Sequence, residues 1–285
     1  MKNNFLKIIK ISRFRFWVYL WGSYILGYSL GVRYFGQFLD VKFLINIFYF
    51  SLPANLLIYS VNDISDKETD KFNSKKGSYE YKINNKDNKL IKLLIYFCLI
   101  ISIFIIFFID NNLVERIFFI LFLFLSLGYS LKPFRFKAIP ILDSLSNILY
   151  AIPGFLGFYQ SGNQIVDLKV VLIALSWNAA MHLFSAIPDI LPDKKANIKT
   201  SALLFGENGS LIICTILWMI FACSIIFTNF LGVLGLLCLI YPLITIYLLI
   251  RPKKEIIAVY KLFPYINIIL GILAFVTIFF KIILK

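Results

Sequence analysis

Long apolar runs alternate with short polar segments along the chain, and the alternation predicts nine helical spans. Their approximate limits are 16–34, 41–61, 90–109, 114–131, 141–160, 168–187, 208–228, 231–250 and 262–284. Most reach the roughly 20 residues that an α-helix needs to cross a bilayer. The sequence lacks the period-two alternation of a membrane barrel, and a helix satisfies its own backbone hydrogen bonds in lipid. The pattern therefore predicts an all-α integral membrane protein, a bundle of nine transmembrane helices in one domain over residues 1–285. Three polar stretches, at about 62–89, 129–140 and 188–207, lie on one side of it and are expected to form a cytoplasmic cap.

Composition agrees with the pattern: 60% of the 285 residues are apolar and 15% are charged, against about 25% charged in soluble domains. A net charge of +14 raises the question of nucleic acid, but the placement of the cations answers it. The N-terminal segment and the loops on its side of the predicted membrane hold 23 of the 29 Lys and Arg residues, including eight lysines between 67 and 92. This is the positive-inside asymmetry, which places the N-terminus and the polar cap in the cytoplasm and the C-terminus outside. The partner of the basic charge is the lipid bilayer, with no nucleic acid expected. Cys98, Cys214, Cys223 and Cys238 fall within apolar spans without a C-x-x-C pair, and read as buried structural thiols. The basic N-terminus precedes a long apolar run with no small-residue cleavage pattern after it, so the first span is read as retained.

Polar residues stand out against this background. Asn62, Asp66 and Asp70 recur at i, i+4 and i+8 after the second span and share one helical face, with Asp63 beside them. Asp189 and Asp193 repeat the i, i+4 spacing 123 residues later, the offset that also relates Asp66 to Asp189 and Asp70 to Asp193. Lys71 and Lys194, and Lys76 and Lys199, share this offset, which suggests an old duplication of a four-helix unit. Between the acidic motifs, Tyr129-Ser130-Leu131-Lys132-Pro133-Phe134-Arg135-Phe136-Lys137 interleaves three cations with aromatics; taken alone these are snorkelling residues. The fifth span carries Asp143, Ser144, Ser146, Asn147, Pro153, Gly154 and Gly157, small and polar residues that allow close helix approach. The sixth aligns Asn178, His182, Ser185 and Asp189 on one face, with Pro188 and Pro192 expected to break it there. His182 by itself reads as a hydrogen-bonding residue. Trp17, Tyr19, Trp21, Tyr24 and Tyr28 in the first span read as interfacial anchors and packing.

Five clustered carboxylates repel one another unless cations join them. Hard oxygens without a Cys or His cluster suit Mg²⁺, which bridges a few protein carboxylates to substrate phosphates. A Mg²⁺-bridged diphosphate, with two ions and with Lys132, Arg135 and Lys137 facing it, uses both the acidic and the basic clusters. At a membrane surface above apolar helices, such a ligand implies a lipid-tailed diphosphate. A metal draws charge from its leaving group, and aromatic faces stabilise an allylic cation.

The motifs N-D-x-x-D-x-x-x-D at Asn62–Asp70 and D-x-x-x-D at Asp189–Asp193, with the Tyr129–Lys137 segment between them, resemble the UbiA superfamily of membrane prenyltransferases over most of the chain. The resemblance implies a nine-helix bundle around a central cavity. It also implies Mg²⁺-diphosphate binding by Asn62, Asp66, Asp70, Asp189 and Asp193, which are both the catalytic and the metal residues. Arg135 and Lys137, with Lys132 and Tyr129, are implied to contact the diphosphate; Asp63, Asp143, Asn178, His182 and Ser185 are further pocket candidates. Arg135-Phe136-Lys137, Pro140-Ile141-Leu142-Asp143-Ser144 and Phe184-Ser185-Ala186-Ile187-Pro188-Asp189 are most similar to the lycopene elongases. These enzymes add a five-carbon unit from dimethylallyl diphosphate to each end of lycopene, and some also hydrate the product. Asn197 stands where glycine is expected in that branch. The implied function is transfer of a prenyl group from a prenyl diphosphate donor to a long isoprenoid acceptor. Competing readings are prenylation of a quinone precursor, a tetrapyrrole or a glycerol-phosphate lipid, and, outside enzymes, a cation transporter. A transporter places its acids near mid-span, whereas these lie at the predicted cytoplasmic ends.

Overall fold

The computed structural model describes residues 2–67, 81, 84, 87–110, 112–228, 232–251 and 255–283, and among these every regular element is helical. The chain divides into two compact units, 1–135 with 152–165, and 136–151 with 166–285. The first holds α1 (Lys2–Ile11), α2 (Val18–Gly31), α3 (Val41–Ser51), α4 (Pro53–Ser65), α5 (Asn88–Phe104), α6 (Leu113–Gly128) and α8 (Ile152–Gly162). The second holds α7 (Leu142–Leu145), α9 (Leu168–Ala186), α10 (Ile190–Lys195), α11 (Ser201–Ile226), α12 (Gly232–Cys238), α13 (Ile240–Ile250) and α14 (Ile256–Ile283).

Six described segments are long and apolar enough to cross a membrane: Val41–Ser65, Asn88–Ile109, Leu168–Lys195, Ser201–Ile226, Gly232–Ile250 and Ile256–Phe280. The protein is thus a multi-pass membrane protein. The other three predicted spans fold as shorter or broken helices. α2 has 14 residues and α6 has 16, about 21 and 24 Å of helix against a hydrocarbon core of about 30 Å. The span predicted at 141–160 is split between α7, a 3-10 turn at Ser146–Tyr150 and α8.

Breaks inside the apolar runs follow from proline and are repaired by buried polar side chains. Pro53 has no N–H to continue α3 and starts α4 instead,. Fully buried Asn55 donates to the Phe50 and Ser51 carbonyls at 2.9 and 2.7 Å, capping the end of α3. In the first unit, Tyr24 and Tyr28 are buried against Phe43, and the Tyr24 hydroxyl donates to Gln160 Oε1 at 2.7 Å. These two aromatics are therefore packing residues. In the second unit, Trp218 and Tyr241 stack on Phe263 at centroid distances of 5.4 and 6.0 Å, forming a buried aromatic core. The thiols of Cys98, Cys214 and Cys238 are buried and all four cysteines are free.

α1 lies against α4 and α5, with Ile8 and Ile11 packed among Leu56, Leu57, Val61, Ile91 and Leu94. Its Lys7 pairs with Asp87 at the start of α5, and Asp87 also accepts from Tyr81 Oη and Asn84 N–H. Burial pushes the Asp87 carboxyl up, but the hydrogen bonds from Lys7, Tyr81 and Asn84 outweigh it and hold the group below its ordinary 3.8. A carboxylate with a lowered pKa in the folded state adds stability above its unfolded pKa and loses it as pH falls through the folded one. Asp87→Asn should accordingly lower Tm at pH 7, with the gap from wild type closing below pH of about 4. A gap that is constant with pH would show that the carboxylate's charge does not matter.

Candidate functional site

In the first unit the last turn of α4 carries the first acidic motif. Asn62 and Asp66 lie one turn apart and share a face, as the i, i+4 spacing requires. Asp66 ends the helix, its N–H bonded to the Asn62 carbonyl at 2.9 Å. Asn62 Oδ1 accepts from Ser130 Oγ at 3.0 Å, which ties the motif to the segment after α6. From that segment Arg135 brings Nη2 to 3.6 Å from Asp66 Oδ1. This is an ion pair longer than a direct hydrogen bond. Arg135 holds this position from the left-handed region, at φ 41°. Tyr129 caps α6 and is half-buried, whereas Lys132 is exposed. Of the three predicted cations, Arg135 is thus the one placed beside Asp66 within this unit.

Asp63, next along the helix, points elsewhere. It is 1% exposed and accepts from Arg13 Nη2 at 2.8 Å, while the guanidinium sits 4.4 Å from the Tyr59 ring centroid. The carboxylate is engaged by a buried ion pair that fixes α4 to the turn after α1. Sequence reading counted Arg13 only as positive-inside charge; a pairing across 50 positions leaves no local signal. Asp70 lies outside the described residues.

The second unit carries the remaining predicted residues. α9 ends at Ala186, a 3-10 turn spans Ile187–Asp189, and α10 begins at Ile190, so Pro188 breaks the helix at Asp189 as expected. Asp193 Oδ2 accepts from Thr200 Oγ1 at 3.2 Å, and Thr200 also caps α11 through Leu203 N–H. Asn178 is buried and donates to the Ala174 carbonyl, and Ser185 donates to the His182 carbonyl. His182 itself is half-buried on α9. Lys137, in a 3-10 turn at Phe136–Ala138, is buried. Asn197 adopts φ 53°; asparagine tolerates this left-handed conformation, so the turn keeps a shape that glycine would also adopt.

Asp143 is fully buried, and both of its oxygens are engaged. Oδ2 accepts from Ser201 N–H at 2.7 Å, and Oδ1 accepts from Ser144 N–H and from the Ser201 hydroxyl. Thr200 and Ser201 lie in the polar stretch predicted at 188–207, before the span predicted at 208–228, and nothing local in the sequence marks their partners. α11 starts at Ser201 and is kinked at Gly206, whose φ 68°, ψ 179° is non-helical and divides it into two helical stretches, the second of which fits the predicted span.

Asn62 and Asp66 in the first unit, and Asp189 and Asp193 in the second, each carry hard oxygen donors of the kind that Mg²⁺ accepts. Among the described residues, no three His, Cys, Asp or Glu side chains form a group that could hold a metal ion.

Known proteins resemble this chain. A lycopene elongase/hydratase of Haloarcula japonica is 32% identical over 264 residues, covering 93% of this chain and 88% of the relative. A lycopene elongase/hydratase of Halobacterium salinarum is also 32% identical, covering 92% of each chain. Among solved structures, a UbiA homologue from Archaeoglobus fulgidus bound to DMAPP and Mg²⁺ superposes with a TM-score of 0.73 at 20% identity, over 98% of this chain and 100% of that one. The apo structure of a UbiA homologue from Aeropyrum pernix K1 gives 0.71 at 15% identity, over 94% and 98%. The model of the UbiA prenyltransferase family matches residues 16–263. The chain belongs to the UbiA prenyltransferase family and is an intramembrane prenyltransferase of all-helical UbiA fold.

Proposed function

We propose that this protein transfers a dimethylallyl group from its diphosphate to a long apolar acceptor, lycopene or a related carotenoid. The observation that carries the acceptor is the 32% identity, over nearly the full chain, to lycopene elongase/hydratases. In this reading the chain is a single domain of nine spans around a central cavity, with its N-terminus and acidic cap cytoplasmic and its C-terminus outside. The basic asymmetry of the loops supports that orientation.

Asn62, Asp66, Asp70, Asp189 and Asp193 would hold two Mg²⁺ ions. When bound, Mg²⁺ neutralises charge on the diphosphate and improves it as a leaving group. Arg135 and Lys137 bind diphosphate oxygens, with Lys132 and Tyr129 at the edge of the site. Arg135 stands within 4 Å of Asp66, at 3.6 Å, so an anion reaching it also reaches the acidic motif. Ser130 holds the Asn62 amide through Oδ1, fixing its orientation. Asp63 is committed to Arg13 and keeps α4 in place. In the overall reaction, the donor's allylic C–O bond breaks, and its carbon bonds to the terminal double bond of the acceptor. The acceptor then loses a proton, and diphosphate leaves. The apolar helices exclude water that would otherwise capture the cation.

Expression in cells that make lycopene tests the proposal directly. Pigments heavier by one or two five-carbon units are expected by mass spectrometry. Unchanged lycopene alongside folded, membrane-inserted protein would reject the carotenoid acceptor and turn the search to quinone precursors, tetrapyrroles and glycerolipids.

A further inference from the structure

Lys137 and Asp193 belong to different segments of the second unit, and a continuous hydrogen-bond chain connects their surroundings. After the turn that carries Lys137, Ile139 N–H bonds to the Phe136 carbonyl at 3.0 Å, and Asp143 N–H to the Ile139 carbonyl at 2.9 Å. Between them Ile141 sits at φ 73°, ψ −50°. A β-branched residue is rarely found there, and such strain persists only where surrounding structure over-determines it. The restraint is visible: Ile141 N–H donates to Ser201 Oγ at 2.6 Å. Ser201 in turn gives both its hydroxyl and its N–H to the buried Asp143 carboxylate. One residue earlier, Thr200 donates to Asp193.

We propose that Asp143 and Ser201 are positioning residues that set the Lys137 turn against the Thr200–Asp193 cap. Together they place a cation and a carboxylate of the diphosphate site. The inference rests on the functional reading above, and deepens it. Asp143 is too deeply buried and too fully bonded to touch substrate itself. Its carboxylate is suited to the hub because both oxygens accept and neither donates. In Asp143→Asn, either orientation of the amide turns an NH₂ group towards donors: Ser201 N–H in one case, the Ser201 hydroxyl and Ser144 N–H in the other. The side chain keeps its size but loses the bonding pattern, which releases Ser201 and with it Ile141. Ser201→Ala removes the hydroxyl alone and leaves the N–H to Asp143.

The test measures Mg²⁺-dependent binding of dimethylallyl diphosphate to the detergent-solubilised full chain, with Tm recorded for each variant. Misplacing one binding group weakens donor affinity by about tenfold or more, and both Asp143→Asn and Ser201→Ala are expected to show this. The double variant should resemble Asp143→Asn alone, because the two changes break one linked unit. Wild-type affinity in both single variants, even with a lowered Tm, would overturn the positioning role and leave Asp143 as fold support. If Asp143→Asn does not fold, Ser201→Ala decides alone. A wild-type chain that binds no dimethylallyl diphosphate would reject the functional reading itself, and this inference with it.

Discussion

Asp66→Asn is expected to lower prenyl transfer about a hundredfold to a thousandfold, the cost of removing one preorganised electrostatic contact at a reacting centre. Tm should stay close to that of wild type. The two expectations have separate physical origins. Asp66 ends α4, and its backbone N–H is already satisfied by Asn62, so an isosteric amide leaves the helix intact. Its ion pair with Arg135 is 3.6 Å long, beyond direct hydrogen-bond distance, and so weaker than the 2.8 Å pair of Asp63 with Arg13. The carboxylate is therefore expected to matter less to folding than that of Asp63. In the proposed function it is indispensable, because an amide oxygen is neutral and binds Mg²⁺ far more weakly. Asp63→Asn, three positions earlier, should show the reverse. It breaks a buried pair with the Arg13 guanidinium, a loss of about 3–5 kcal/mol,. Rates of the folded fraction should fall less than in Asp66→Asn. Measuring product formation and Tm on both variants separates the two roles, and an active Asp66→Asn enzyme would remove Asp66 from the site.

That contrast also marks what the sequence could disclose. Apolar length placed the helices, and the i, i+4 recurrence singled out both acidic motifs, because each signal is local and periodic. Pro188 identified the break at Asp189 for the same reason: a missing N–H acts on its own turn. What escaped notice depends on partners distant in sequence. Asp63, read as a pocket candidate beside the acidic face, is held by Arg13, 50 residues away. Asp143 looked like a polar pocket residue until Ser201, 58 residues on, was found to take its oxygens. The span predicted at 208–228 fits the helical stretch beyond Gly206, whose non-helical φ 68°, ψ 179° kinks the chain after the stretch that starts at Ser201. Helix lengths were overestimated at α2 and α6 since apolarity continues past the last helical residue.

Gly27→Ala should prevent stable folding, an effect out of proportion to one methyl group. α2 and α8 approach backbone to backbone, so that a Cβ on Gly27 would lie 1.9 Å from the Gly154 carbonyl oxygen, 2.5 Å from its carbon and 2.7 Å from its Cα. None of these atoms belongs to a side chain that can rotate away. Relief requires the helices to separate, and the same seam is tight at Gly157, where an added Cβ would lie 2.5 Å from the Tyr24 carbonyl oxygen. Separation would also pull Gln160 from the Tyr24 hydroxyl that it meets at 2.7 Å. Alanine gains about 1 kcal/mol of helix propensity over glycine, but overpacking costs about 1–3 kcal/mol even where side chains can adjust. A backbone clash has no such outlet and should exceed that range. Gly271→Ala is the control: nothing lies within 4 Å of its added Cβ on α14, so the propensity gain is unopposed and Tm should hold or rise. Detergent-solubilised yield and Tm of the two variants test the argument. A Gly27→Ala protein as stable as wild type would show that α2 and α8 do not meet at this distance.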